Sequence, residues 1–168
     1  TTGAHNTAVG KNSLLNNTTA NGNTALGWET LRGTTTGAYN TALGGLSLYN
    51  STTASNNVAV GRNSLGRIGS VTAGGSVAIG ENCLVAVTDG FYNVGIGLEA
   101  GDRIDTGDNN VCIGRQAGDD ITSGDNNICI GYGSSASSST VDNEITLGND
   151  DITKFRIPGI NVVLKDNG

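Results

Sequence analysis

Asn6-Thr7-Ala8-Val9-Gly10 returns as Asn23-Thr24-Ala25-Leu26-Gly27, Asn40-Thr41-Ala42-Leu43-Gly44, Asn57-Val58-Ala59-Val60-Gly61 and Ser76-Val77-Ala78-Ile79-Gly80. It continues as Asn93-Val94-Gly95-Ile96-Gly97, Asn110-Val111-Cys112-Ile113-Gly114 and Asn127-Ile128-Cys129-Ile130-Gly131, then closes on a degenerate copy, Ile145-Thr146-Leu147-Gly148. Successive glycines stand 17 residues apart, except for one interval of 19 between Gly61 and Gly80. A fixed period of this length makes each repeat one unit that buries its apolar side only by lying against its neighbours. The chain therefore reads as all-β: a parallel β-solenoid of about nine coils over residues 1–148, with residues 149–168 as a C-terminal cap or transition segment.

Taking each glycine as position zero, −3 and −1 carry Thr, Val, Ile or Leu, while −2 is Ala, Gly or Cys in the clean copies. This is strand alternation with both faces constrained, one to bulk and one to small side chains. One face belongs to the inside of the coil. The other must meet a neighbouring sheet or another chain, because strands covered on both sides lose their polar alternation; it is read as self-association.

Position +4 is Leu14, Leu31, Leu48, Leu65 and Leu84 and then Gly101 and Gly118, which predicts a second short strand there. From the fourth coil onward bulk arrives at +7 as Ile68, Val87, Ile104 and Ile121, and where +4 becomes glycine the interior leucine is read as replaced from the next side. Thr and Ser at +8 and +9, followed by Asn, Gly and Asp, predict polar turns that close each coil. The glycines at zero and Asn6, Asn23, Asn40, Asn57, Asn93, Asn110 and Asn127 at −4 are read as structural ladders, because stacked amides can bond their equivalents above and below. Helices are disfavoured by so much glycine, asparagine and threonine.

The 168 residues include 27 glycines and no methionine, with 36% hydrophobic and 4% aromatic content, so a large globular core is not expected. Residues 1–80 hold four basic groups against Glu29, whereas residues 81–168 hold five against fourteen acidic ones. That balance argues against nucleic acid, which needs clustered Lys and Arg. No stretch approaches the roughly 18 apolar residues of a membrane span, and no leader pattern opens the chain. Cys83, Cys112 and Cys129 lack CxxC spacing or a histidine partner and read as small buried side chains, not as a zinc site or a disulfide framework.

The phrase Asn-Thr/Val-Ala-Val/Ile-Gly-x-x-Ser resembles the head repeats of trimeric autotransporter adhesins of the YadA type, left-handed parallel β-rolls that trimerise side by side. The later copies, such as Gly114-Arg115-Gln116-Ala117-Gly118-Asp119-Asp120, are similar to repeats in the distal fibres of tailed bacteriophages. Residues 143–160, with the sole proline Pro158, resemble the stretch that precedes a self-cleaving intramolecular chaperone in phage tail fibres. The chaperone does not follow here, which is read as cleavage after assembly or a shortened sequence. The resemblance implies a homotrimeric fibre segment of a virion that supports attachment to a host cell-surface glycan or protein. A bacterial adhesin head and a polysaccharide-degrading tailspike are the alternatives.

No residue is assigned to catalysis and none to a cofactor. His5 has no correctly spaced nucleophile. Asp102 over Asp119 and Asp108 over Asp125 are candidates for calcium, although their loops match neither the EF-hand nor the nonapeptide calcium repeat. A glycosidase would need an acidic pair in a groove; Glu81 and Glu99 lie in successive coils but lack supporting signals. The threonines at +8 and +9 offer an ice-binding column, imperfect because adjacent residues point to opposite sides. Trp28, Tyr39, Tyr49, Phe91, Tyr92 and Tyr132 suit sugar stacking, but their phases differ, so scattered surface or seam packing is expected.

Overall fold

The computed structural model describes residues 2–66 and 74–156. Its nine strands are β1 (Thr7–Val9), β2 (Thr24–Leu26), β3 (Thr41–Leu43), β4 (Val58–Val60), β5 (Val77–Ile79), β6 (Val94–Ile96), β7 (Val111–Ile113), β8 (Ile128–Ile130) and β9 (Ile145–Leu147). They form one parallel sheet in chain order, and the chain makes eight turns from first strand to last. Pairing sets like on like: Thr7 faces Thr24, Ala25 faces Ala42 and Cys112 faces Cys129. The long interval keeps this register, with Val58 opposite Val77, so its two added residues fall outside the strand. Parallel strands are about 4.8 Å apart, which makes the stack a rod of about 40 Å. No helix occurs among the described residues.

The small residues point inward. Ala25, Ala42, Ala59, Ala78 and Cys112 at −2 are fully buried, and Leu31, Leu48, Leu65 and Leu84 at +4 pack in the same core. From the coil of Gly97 onward the filling changes hands, as Gly101 and Gly118 take +4 and buried Ile104 and Ile121 enter from +7. A Cβ on Gly101 would stand 2.8 Å from Leu84 Cδ2 and 2.9 Å from Ile104 Cδ1, so the isoleucine occupies the room a leucine would need. Ile68 lies outside the described residues. Truncating Ile104 to Ala is expected to cost about 2–5 kcal/mol. Adding Gly101→Leu to that variant should restore part of the loss in a thermal melt, because Leu84 already adopts the same backbone at +4.

The second strand expected around +4 is not formed. Leu14, Leu31, Leu48, Leu65 and Leu84 have φ between +47° and +51°, and the residues at +2, such as Asn63 at +58°, are left-handed as well. Alternating left-handed residues curl the backbone and cannot extend as a strand. The turn still bonds the coils together, with Leu31 N–H donating to Ser47 O at 3.0 Å and Leu84 N–H to Ala100 O at 3.0 Å. This conformation also explains why +4 alternates between leucine and glycine: the phase needs left-handed backbone, and core volume decides which residue fills it.

From Asn23 on, the asparagine ladder is buried. Asn110 Nδ2 donates to Gly124 O at 2.8 Å, while its Oδ1 accepts the Asn127 backbone N–H at 3.0 Å. Asn23, Asn40, Asn93 and Asn127 repeat the donor half of this pattern with Gly37, Ala54, Gly107 and Val141. Direct amide-to-amide bonds join Asn40 to Asn23, Asn57 to Asn40 and Asn127 to Asn110 at 3.1 Å. Each amide thus fastens its own coil's strand approach to a carbonyl fourteen residues ahead and receives the next coil's N–H. The part of the cap segment from Ile157 on, with Pro158, lies outside the described residues.

Candidate functional site

With the small residues turned in, the bulky ones at −3 and −1 face out. Val9, Leu26, Leu43, Ile79, Ile96, Ile130, Ile145 and Leu147 are all exposed, from 38% at Ile96 to 66% at Ile145. From β4 to β9 both outward columns are Val, Ile or Leu, so a continuous apolar ribbon runs up the sheet. Single exposed apolar residues are ordinary, whereas these are contiguous along the sheet. Beside it, column +1 holds Trp28, the Arg62–Glu81 ion pair at 2.8 Å, Leu98, and Arg115 lying over the Tyr132 ring at 5.0 Å.

Two of the four candidate aspartates bond the backbone. Asp108 Oδ1 accepts the Phe91 N–H at 2.7 Å, and Asp125 Oδ1 accepts the Asp108 N–H at 2.8 Å, so this column caps one coil with the next. No group of three or more His, Cys, Asp or Glu side chains that would hold a metal ion occurs among the described residues. Asp102 is different. Its Oδ1 is buried without a hydrogen-bond partner, and burial, reinforced by the Asp119 carboxylate of the next coil, raises its pKa above the ordinary carboxylate value. Between the unfolded and folded pKa values the folded chain binds more protons, so stability falls as pH rises through that window and stays reduced above it. Asp102→Asn is expected to raise the melting temperature at pH 7 and to make no difference below the ordinary carboxylate pKa, as paired melts would check.

Glu81 is held by Arg62, and Glu99 Oε2 accepts Gln116 Nε2 at 3.0 Å. In the last coil Glu144 stands where the asparagines stood; its carboxylate accepts the Ser137 hydroxyl and backbone N–H, and these bonds hold its pKa below the usual value. Cys83, Cys112 and Cys129 are free and buried. Desolvation pushes the Cys83 thiol up to about 12 and Cys129 up to about 11, and Cys112 also shifts upward. Thiols so shifted are poor nucleophiles at neutral pH. His5 is exposed in left-handed backbone at +59°.

The threonine turns split by phase. At +8, Thr18 and Thr35 donate their hydroxyls to the backbone carbonyl of the next coil, at 2.8 and 3.2 Å, although Thr18 is exposed, as are Thr19, Thr36 and Thr53 at +9. The aromatic phases require a correction. Tyr39 and Tyr92 share position −5, and Trp28 and Tyr132 share +1, so only Tyr49 and Phe91 stand alone in their columns. The shared phases were readable from the glycine ruler; the left-handed backbone at −5 was not. Tyr49 packs within the chain, its hydroxyl accepting from Arg32 Nη1 of the preceding coil at 2.8 Å.

The chain matches no protein-family model, no curated protein and no solved structure.

Proposed function

We propose that the chain is a rod segment of a homotrimeric fibre, of the kind that forms phage tail fibres, and that it supports multivalent attachment to a host cell surface. The observation that carries this reading is the ribbon of Val, Ile and Leu on the outward face of β4 to β9. A monomeric rod would leave that ribbon in water. Three rods around one axis would cover it with three copies of the same surface, the arrangement closed symmetry favours. The resemblance of the repeats to trimeric adhesin heads and phage fibres points the same way. The mechanism is mechanical: inter-coil backbone bonds and the asparagine ladder stiffen the rod, and three identical flanks turn weak receptor contacts into avidity. In this reading no bond is made or broken; Glu81 and Glu99 are engaged with neighbouring side chains.

The test is binding of fluorescently labelled protein to a panel of bacterial strains, with wild type compared against Ile96→Glu/Ile113→Glu. Wild type is expected to decorate at least one strain, and the double variant, with charges on the ribbon, to lose affinity by about tenfold or more as avidity disappears. Equal binding by a monomeric double variant would refute the multivalent mechanism. New reducing ends released from host polysaccharide would refute the non-enzymatic part of the reading.

A further inference from the structure

Tyr39 and Tyr92 stand in one column, three coils apart, with 67% and 63% of their surface exposed. At about 4.8 Å per coil the two rings are separated by about 14 Å along the rod. Both occupy left-handed backbone, at φ +59° and +57°, which bulky residues seldom adopt. In the buried leucines at +4 the same strain is offset by burial in the core; these tyrosines have no such return. Other coils place His5, Asn56, Asn109, Asn126 and Asn143, or Gly22 and Gly75, at this phase, residue types that suit the conformation better than tyrosine. Strain of this sort, kept where packing does not require it, is characteristic of binding positions.

Each ring also has a mount. A Cβ on Gly22 would come within 2.7 Å of Tyr39 Cδ1, and one on Gly75 within 2.6 Å of Tyr92 Cδ1, so each ring lies on the glycine of the preceding coil. Beside Tyr92 an open cleft of about 490 Å³ is lined by Thr53, Ser55, Asn56 and Phe91, and the Phe91 ring is tilted 42° to Tyr92 at 6.1 Å. Fixed aromatic faces next to hydroxyls and an amide match a sugar ring, whose C–H face stacks and whose hydroxyls bond at the edge. The carboxylate of Asp108, whose Oδ1 accepts the Phe91 N–H, disfavours an anionic chain.

Resting on the surface-attachment reading above, we propose that this column is a carbohydrate-binding strip for a neutral, pyranose-based polysaccharide running along the rod, with Tyr39 and the Phe91–Tyr92 pair as its stacking platforms. The test titrates the assembled wild type with chitohexaose, maltohexaose and cellohexaose, followed by calorimetry and by saturation transfer from the tyrosine rings. At least one hexasaccharide is expected to bind, and Tyr39→Asn/Tyr92→Asn, which installs the residue other coils carry, should weaken it by about tenfold or more without changing the sedimenting mass. Failure of all three sugars to bind, or equal binding by the double variant, would overturn the strip. So would collapse of that variant to monomers, which would place the column in the subunit seam. Cell decoration separates the two levels: variant rods that decorate cells as wild type does sink the strip and spare the attachment reading, whereas wild-type rods that decorate no strain sink the attachment reading.

Discussion

Gly97→Ala, the smallest change available at the glycine phase, is expected to cost about 4 kcal/mol or more and to abolish the cooperative thermal transition of the rod. The backbone there has φ +135°, a region closed to side chains. The new methyl would stand 2.5 Å from Gly114 O and 2.6 Å from Gly114 C, so the obstacle is the main chain of the next coil, which no rotamer change relieves. Separating the two coils would break the bonds on either side of it, among them Val94 N–H to Asn110 O and Gly114 N–H to Ile96 O, both 2.8 Å. Gly133→Asn is the control: φ is +59°, the nearest group is Asn149 Nδ2 at 4.0 Å, and asparagine already occupies this phase at Asn12, Asn63 and Asn82. Its cost should be about 1 kcal/mol or less. Circular dichroism melts of the two variants decide the matter, and a Gly97→Ala protein as stable as wild type would contradict the stacking described here.

The second large effect is expected for Asn110→Ala. Alanine leaves the Gly124 carbonyl without its 2.8 Å donor and the Asn127 N–H without its 3.0 Å acceptor, both in a site that excludes water. Each orphaned buried group costs about 1–3 kcal/mol, and the vacated volume adds to this, so a loss of about 4 kcal/mol is expected. The chain contains its own comparison at this phase: Ser76 Oγ accepts the Asn93 N–H at 3.1 Å. Asn110→Ser should therefore recover about half of the loss, keeping the acceptor while the Gly124 carbonyl stays unserved. Chemical denaturation of the three proteins measures this, and equal stability of alanine and asparagine would show that the ladder contributes nothing.

Much of this architecture was legible because a solenoid converts sequence period into spatial register. The spacing of Gly10 through Gly148 located every strand, and the small residues at −2 marked a constrained face. What could not be read was backbone sign. Leucine at +4 looks like strand or core, and only coordinates show that Leu31 and Leu48 reach the core from left-handed turns. The same blindness hid the mounting of Tyr39 and Tyr92, since nothing in a tyrosine announces positive φ. The acidic loops hid a structural role in the same way: aspartates stacked at one phase suggest a cation, and only the fold shows that Asp108 and Asp125 each turn one oxygen, Oδ1, to a backbone N–H of the coil before.

The claim on which the functional account turns is that the outward Val/Ile/Leu ribbon is a seam between three copies. Sedimentation equilibrium of the wild-type chain at micromolar concentration tests it most directly. The expected mass is three times the 16.9 kDa of one chain, falling to a single chain in Ile96→Glu/Ile113→Glu. A wild-type protein that sediments as a folded monomer would contradict it.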